Sequence, residues 1–202
     1  MFDVLILGGG VSGMSCALVL GSAKNKPFVI DKKIGIITHQ KTSSLQEAVI
    51  NNAYGITPGK LGSDLLLESI QHLSETYPHI EQIPGEKVLK VEGKFSEFVI
   101  TTNKNTYQSK IIVVAIGYSN TFAIESLMHY VEPHQKTLVE KQRIQLKNSD
   151  HKVTEGIYVT GTLAGWRSQV AIAAGSGAAV ATDILTLWNN GIQTQSHDSI
   201  KK

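Results

Sequence analysis

The chain has 202 residues, 42% of them hydrophobic, with 19 Lys and Arg set against 17 Asp and Glu. That is enough apolar material for one packed domain of ordinary size, and a formal net charge of +2 scattered along the chain leaves no footprint for nucleic acid or an anionic membrane surface. A single cysteine, Cys16, excludes an internal disulfide and a dithiol redox pair.

The N-terminal stretch Phe2 to Gly13 reads FDVLILGGGVSG: an apolar run, Val4 to Leu7, breaks into glycines at 8, 9, 10 and 13 and continues as a helical pattern through Leu20. This is a strand, a tight turn and a helix. Gly8 allows the turn, Gly10 lets the first helical N–H groups, from Val11 and Ser12 onward, approach a pyrophosphate, and Gly13 lets the helix pack on the strand. The helix N-terminus adds unpaired donors and a positive dipole end for the anion. Val4 to Gly21 is nearly uncharged, but it lacks a basic leader, and its glycines with Ser12 and Ser15 make a poor membrane span; a cytoplasmic protein is the expectation. Cys16, inside the helix, reads as a small buried hydrophobe.

Pro27 to Ile30 reads as a second strand ending at Asp31, 23 positions after Gly8. That is close to the spacing of about 20 at which a carboxylate holds adenosine ribose hydroxyls. Residues 34–59 read as irregular, with a short helix around Leu45 to Val49, and as a segment long enough to cover a ligand. Apolar residues at 61, 65, 66, 70 and 73 predict an amphipathic helix over Leu61 to Tyr77. Lys87 to Val91, Phe95 to Thr102 and Thr106 to Lys110 read as an antiparallel meander running into a doubly buried strand, Ile111 to Ala115, that Gly117 ends.

Residues 118–150 are polar, with short strands expected near Thr137 to Val139 and Ile144 to Leu146. Another buried strand runs from Gly156 to Gly161. The last helix spans about Ser168 to Trp188 with a small-residue face, and Asp183 in its middle argues against a membrane span. From Asn189 the composition turns polar, so a single domain over 1–190 and a mobile tail over 191–202 are expected. The seven histidines are dispersed without metal-ligand spacing, and no metal site is expected.

Taken alone, the glycine turn serves NAD, FAD or a methyl-donor nucleotide. Three further stretches narrow the choice: Val113 to Gly117, Thr154 to Gly161, and Ser168 to Gly175 resemble, in order, three blocks of the thioredoxin-reductase-like flavoproteins, specifically their FAD domain. The resemblance runs from Phe2 to about Leu187, with only general layout shared over 34–109. It implies that Ala115 and Gly117 form a turn beside the cofactor. It also implies that Gly161 and Thr162 meet the ribityl chain, Thr162 standing where the family carries an aspartate. Gln169, with the N–H groups of Val170 and Ala171, then faces the pyrimidine edge of the flavin, where donors and a positive helix end favour the anionic reduced ring. The family's arginine directly before that glutamine is replaced by Ser168, and Arg167 is displaced by one position. Tyr118 and Trp166 fall near the cofactor edge as candidate stacking groups, and His39 is a candidate proton donor.

Relatives of that type insert an NADPH domain carrying a Cys-x-x-Cys pair between the second and third of these glycine turns. Only 43 residues separate Gly117 from Gly161 here, too few for such a unit. The expectation is therefore an α/β, Rossmann-like, three-layer FAD-binding fold with a mostly parallel sheet and a small antiparallel meander. Its cofactor would be FAD, and it would pass electrons or hydride between an unidentified donor and acceptor. A non-catalytic FAD-binding sensor or partner subunit is the alternative, simple NAD binding a third reading, and a homodimer is left open. No catalytic side chain stands out.

Overall fold

In the computed structural model, which describes residues 1–39, 43–119 and 122–198, the first apolar run is the central strand β1 (Phe2–Leu7). The glycine turn leads into α1 (Val11–Ser22), followed by β2 (Ile34–Thr38), a short hairpin of β3 (Val49–Ile50) and β4 (Lys60–Leu61), and α2 (Gly62–Thr76). Next come β5 (Glu81–Pro84), β6 (Val88–Glu92), β7 (Phe98–Thr102) and the long β8 (Thr106–Val114). The chain then forms β9 (Val131–Pro133), β10 (Ile144–Leu146), β11 (Lys152–Thr154), β12 (Ile157–Val159) and α3 (Val170–Trp188).

The main sheet runs β11-β12-β8-β1-β2-β5. β12, β8, β1, β2 and β5 are parallel, and β11 closes the edge antiparallel to β12. β8 serves two neighbours on one side: residues 106–109 pair antiparallel with β7, and residues 112–114 pair parallel with β12. Its β-branched second half is buried on both faces, as a central parallel strand requires. β9 and β10 form a separate antiparallel pair.

Period-two alternation divides the core. Val4, Ile6, Ile34, Ile36, Ile111 and Val113 face α1 and α3, whose Ala17, Leu20, Val180, Ala181, Ile184 and Leu185 complete that layer. Leu5, Leu7, Ile37, Ile112 and Val114 face the opposite layer, made by Phe122, Ile124, Leu127, Leu146 and Leu163. The helix α3 is long and apolar enough to cross a membrane by length and composition, yet here it lines this core and sits against α1. Residues 189–198 lie along the ends of α1 and α2, where Ser196 accepts from Ser22 Oγ (2.9 Å) and Asp198 from Tyr77 OH (2.6 Å).

Several predicted elements are corrected. Residues 27–31 form turns, not the second strand. Val29 N–H and Ile30 N–H both return to Lys26 O, and the side chain of Val29 plugs the core beneath the helices. The strand is β2, in register Val4↔Ile34 and Leu7↔Ile37 with β1. Gly35 interrupts its apolar run because a Cβ there would lie 2.6 Å from the Phe2 ring. The meander is offset as well: 94–97 are a turn with Ser96 at φ 71°, and Thr106 to Val114 is one strand rather than two. Residues 139–141 are a 3-10 turn, while β9 pairs with β10 instead.

The helices α1 and α3 cross in direct backbone contact at Gly177, where a Cβ would overlap Ser12 O. Gly177→Ala is therefore expected to destabilise the protein by about 1–3 kcal/mol. Gly175→Ala, whose Cβ would enter open space, should fall within about 1 kcal/mol on the stabilising side. Urea unfolding of both variants checks this.

Candidate functional site

Three adjacent parallel strands end at one edge of the sheet, each with a last ladder bond before its loop. Gly8 N–H donates to Ile37 O (2.9 Å), Ala115 N–H to Leu7 O (2.8 Å), and Thr160 N–H to Val114 O (3.0 Å). The turns 8–10, 115–117 and 160–165 therefore emerge side by side at the carboxyl edge, where open parallel sheets bind their ligands.

The glycines are explained by contacts. Gly8 has φ 119° and a Cβ would overlap Ala115 O, so the first two turns touch backbone to backbone. A Cβ at Gly13 would overlap Gly8 O, which fixes the start of α1 against its own turn. Gly161, at φ 72°, brings the third turn onto α1, with Ser12 Oγ 2.7 Å from where a Cβ would stand. Gly10 and Gly117 differ, for a Cβ at either would meet nothing within 4 Å. They border an open cradle.

Donors face that cradle. The first helical bond of α1 runs from Met14 N–H to Gly10 O (2.9 Å), so the N–H groups of Val11, Ser12 and Gly13 precede any intrahelical acceptor. In α3 the first such bond runs from Ala173 N–H to Gln169 O (2.9 Å), which leaves those of Val170, Ala171 and Ile172. Neither helix has a side-chain cap. Both ends suit negative charge.

Ser176 ties α3 to the third turn. Its Oγ accepts from Gly161 N–H (2.8 Å) and lies 2.9 Å from both Thr160 Oγ1 and His151 Nε2. The far end of α3 places Trp188 beneath Lys32 (5.6 Å), just before β2 begins. The helix therefore descends from the carboxyl edge, and residues 169–175 reach outward from it, with Gln169, Ala171 and Gly175 exposed. Asn52, from the β3–β4 hairpin, approaches Gln169 Oε1 (3.5 Å). Tyr54 on the same hairpin is fully exposed. The irregular segment thus does border the site.

Gly8, Gly10, Val11, Ser12, Gly13, Ala115, Gly117, Gly161 and Thr162 are gathered at this edge, with Gln169, Val170 and Ala171 on the overhanging turn of α3. Asp31 is not. It is exposed in the turn before β2, at the amino edge, a full strand length from Gly8. Asp3 is engaged at that edge, accepting from Lys33 N–H (2.9 Å) and Lys110 Nζ (3.0 Å), while Glu81 pairs with Lys33 Nζ (2.9 Å). The end of β2 at the carboxyl edge carries Thr38 and the exposed His39; residues 40–42 lie outside the described residues. Had β2 been placed correctly, the sequence would have pointed there.

Sequence reasoning also missed a layer of rings under the third turn. His134 Nδ1 accepts from Lys136 N–H (3.1 Å), so the neutral ring carries its proton on Nε2, which lies 3.1 Å from Thr162 O and 3.3 Å from Trp166 O. Trp166 Nε1–H donates to His151 Nε2 (3.1 Å). Lys136 Nζ covers one side of the Trp166 indole at 4.4 Å and the His151 ring stacks at 6.1 Å. Tyr118 sits between the Arg143 guanidinium (4.9 Å) and the edge of His134 (5.6 Å). Both aromatics are thus engaged by this layer. Burial holds the His151 pKa below the usual histidine value, against the opposing fields of Asp150 and Asp183. Burial likewise pushes the Cys16 thiol up, and it stays an inert core group.

A cavity of about 770 Å³ opens elsewhere, between the β6–β7 turn, residues 125–130 and the β11–β12 turn. None of the glycines described above lines it. Among the described residues, no three His, Cys, Asp or Glu converge as metal ligands.

A mostly parallel sheet whose glycine turns and two uncapped helix N-termini meet at one carboxyl edge is a Rossmann-like α/β arrangement. Residues 2–177 match the pyridine nucleotide-disulphide oxidoreductase family, and the chain belongs to it. It is similar to a ferredoxin–NADP reductase of Leuconostoc mesenteroides, 27% identical over 192 residues, covering 94% of this chain and 50% of the relative. A ferredoxin–NADP reductase of Streptococcus equi subsp. zooepidemicus is 31% identical over 128 residues, 62% of this chain and 37% of that one. The chain thus spans about half, or less, of the length of these curated relatives. The fold is similar to a thioredoxin reductase from Gloeobacter violaceus (TM-score 0.70, 14% identity, 99% of each chain). It is also similar to an oxidoreductase from Agrobacterium tumefaciens (TM-score 0.69, 16% identity, 92% of this chain and 98% of that one).

Removing the Ser176 hydroxyl strands Gly161 N–H, which is buried. Ser176→Ala should lower unfolding stability by about 1–3 kcal/mol, measured by urea titration of the protein without added ligand.

Proposed function

We propose that this chain binds FAD along its carboxyl edge and works as an oxidoreductase through that flavin. The observation that carries the reading is the convergence of three strand-end turns and two uncapped helix N-termini on one open cradle. Gly10 and Gly117 border that cradle with nothing within 4 Å of their Cβ positions. An extended dinucleotide uses all of these features at once, whereas a mononucleotide reaching only the first turn leaves the overhanging α3 without a role.

In this reading the pyrophosphate lies on the N–H groups of Val11, Ser12 and Gly13, with Gly10 giving it room and Gly8 holding the turn against Ala115. Ala115 and Gly117 wall the neighbouring turn. Gly161 and Thr162 meet the ribityl chain, and the Thr162 hydroxyl, with no hydrogen-bond partner among the described residues, supplies a donor and an acceptor there. Gln169 and the N–H groups of Val170 and Ala171 take the pyrimidine edge of the ring. Thr38 and His39 stand on the adenosine side in place of Asp31. Bound FAD supplies hydride and single-electron chemistry; the protein orients it, stabilises negative charge on the ring at the α3 N-terminus, and shields one side of it with the β3–β4 hairpin. Membership of an oxidoreductase family supports turnover rather than storage.

The test is a titration of the purified protein with FAD, followed by visible absorption and fluorescence. A defined flavin spectrum with one FAD per chain is expected, and a protein that takes up no FAD would contradict the reading. Gly10→Val fills the cradle without strain, since Gly10 has φ −74° and ψ −177°. It should weaken FAD binding by about tenfold or more while leaving stability within about 1 kcal/mol. Asp31→Asn should change affinity by less than about twofold. Anaerobic mixing of the FAD-loaded protein with NADH or NADPH then identifies the donor through bleaching of the flavin.

A further inference from the structure

The third turn, 160–166, is held from beneath by two histidines, both in the connection between β8 and β12. The His134 bonds to the turn come from a donor that either charge state of the ring keeps, whereas the His151 bond needs a neutral ring. At His134 the acceptor is Nδ1, which takes Lys136 N–H at 3.1 Å, and the donor is Nε2, which meets Thr162 O at 3.1 Å and Trp166 O at 3.3 Å. A proton added to Nδ1 sets N–H against N–H and breaks the first bond. At His151 the acceptor is Nε2, which takes the Trp166 indole N–H at 3.1 Å and lies 2.9 Å from Ser176 Oγ. A proton added there expels the indole. The backbone confirms how specifically the second ring is placed: Asp150 and His151 both adopt positive φ, 46° and 69°, a conformation that costs free energy unless surrounding contacts hold it.

We propose that His134 and His151 are positioning residues that clamp the 160–166 turn in its cofactor-binding shape, and that protonation of the His151 ring releases the Trp166 end of the clamp while His134 keeps its hold on the two carbonyls. Thr162 is the link to chemistry. Its carbonyl is bound from below by His134, which fixes the position of that residue in the turn. Gly161 N–H is withdrawn from the cradle by Ser176, which His151 holds. The clamp thereby decides which groups of the turn remain for a ligand. This rests on the reading of the carboxyl edge as an FAD site.

The groups facing His151 are Asp150 on its own turn, Asp183 and Ser176 on α3, Thr160 and Tyr158 at the end of β12, and the Trp166 indole. Those against the His134 ring are Tyr118, the Lys136 N–H and the carbonyls of Thr162 and Trp166. No carboxylate is paired with the His134 ring among the described residues. Burial lowers the His151 pKa despite Asp150 and Asp183. A histidine whose folded pKa is depressed contributes stability that is complete above its unfolded pKa and lost as pH falls through the folded one. The Trp166 end of the clamp, which the indole holds on His151 Nε2, therefore closes at neutral pH and opens on acidification.

The experiment measures FAD affinity between about pH 5 and pH 8, the range in which histidines titrate, for the wild type, His134→Gln, His151→Gln and the double variant. A proton gained by His151 on release raises Kd by up to about tenfold per pH unit of acidification between its closed and open pKa values. The steepest slope of log Kd against pH is thus expected to approach about −1 in the wild type, to persist in His134→Gln and to vanish in His151→Gln and the double variant. In parallel, hydrogen exchange of the Trp166 indole N–H is followed by NMR in the protein with and without FAD, using Trp188 as internal reference. Exchange at Trp166 alone should accelerate on acidification and be fast at all pH values in His151→Gln. A wild-type slope unchanged by His151→Gln, or a Trp166 indole whose exchange ignores pH and the His151 substitution, would overturn the clamp. Failure to bind FAD even at the upper pH contradicts the FAD reading, and the indole exchange still decides the clamp.

Discussion

The whole arrangement depends on how closely α1 and α3 approach one another above the end of β12. Gly177 allows its helix to rest on Ser12 O, Gly161 allows the third turn to reach Ser12 from the other side, and Ser176 joins that turn to α3 through Gly161 N–H. A side chain at either glycine would push the layers apart. Because Ser12 belongs to the first turn of α1, the same contact that packs the core also sets the distance between the two helix N-termini. Packing and the shape of the cradle are therefore one constraint, and a substitution that relaxes the crossing moves both.

Much of this was legible in the chain because it is written in glycine. Gly8, Gly10 and Gly13 mark a strand, a turn and a helix by themselves, and Gly161 after Ile157 to Val159 marks a second strand end. The buried run Ile111 to Val114 announces a central parallel strand through its lack of alternation, and α2 through its helical period. The second strand was misplaced for a physical reason. Phe28 and Val29 look like strand residues but plug the core from a turn, while β2 is interrupted by Gly35, which yields to the Phe2 ring. Asp31 followed that error to the wrong edge of the sheet.

The ring layer beneath the third turn could not be read from sequence. Tyr118, His134, His151 and Trp166 are far apart along the chain and follow no period. They meet only because β9 pairs with β10, because Ile144 N–H returns to Tyr118 O (3.2 Å), and because His151 precedes β11 in a strained turn. The connection between Gly117 and Gly161 is too short for a second nucleotide domain, and its polar residues are spent on supporting the turn. Where the resemblance to thioredoxin-reductase-like flavoproteins leads one to expect an aspartate, Thr162 is fixed through its backbone carbonyl instead.

Backbone amide exchange in the absence and presence of FAD tests the central claim most directly, since it reports every turn of the carboxyl edge in one experiment. FAD should slow exchange in 8–13, 115–117 and 160–172 together and leave the turn at 27–32 unchanged. Protection confined to the cavity lined by residues 90–95 and 125–130, or protection at 27–32 with none at 8–13, would contradict the account.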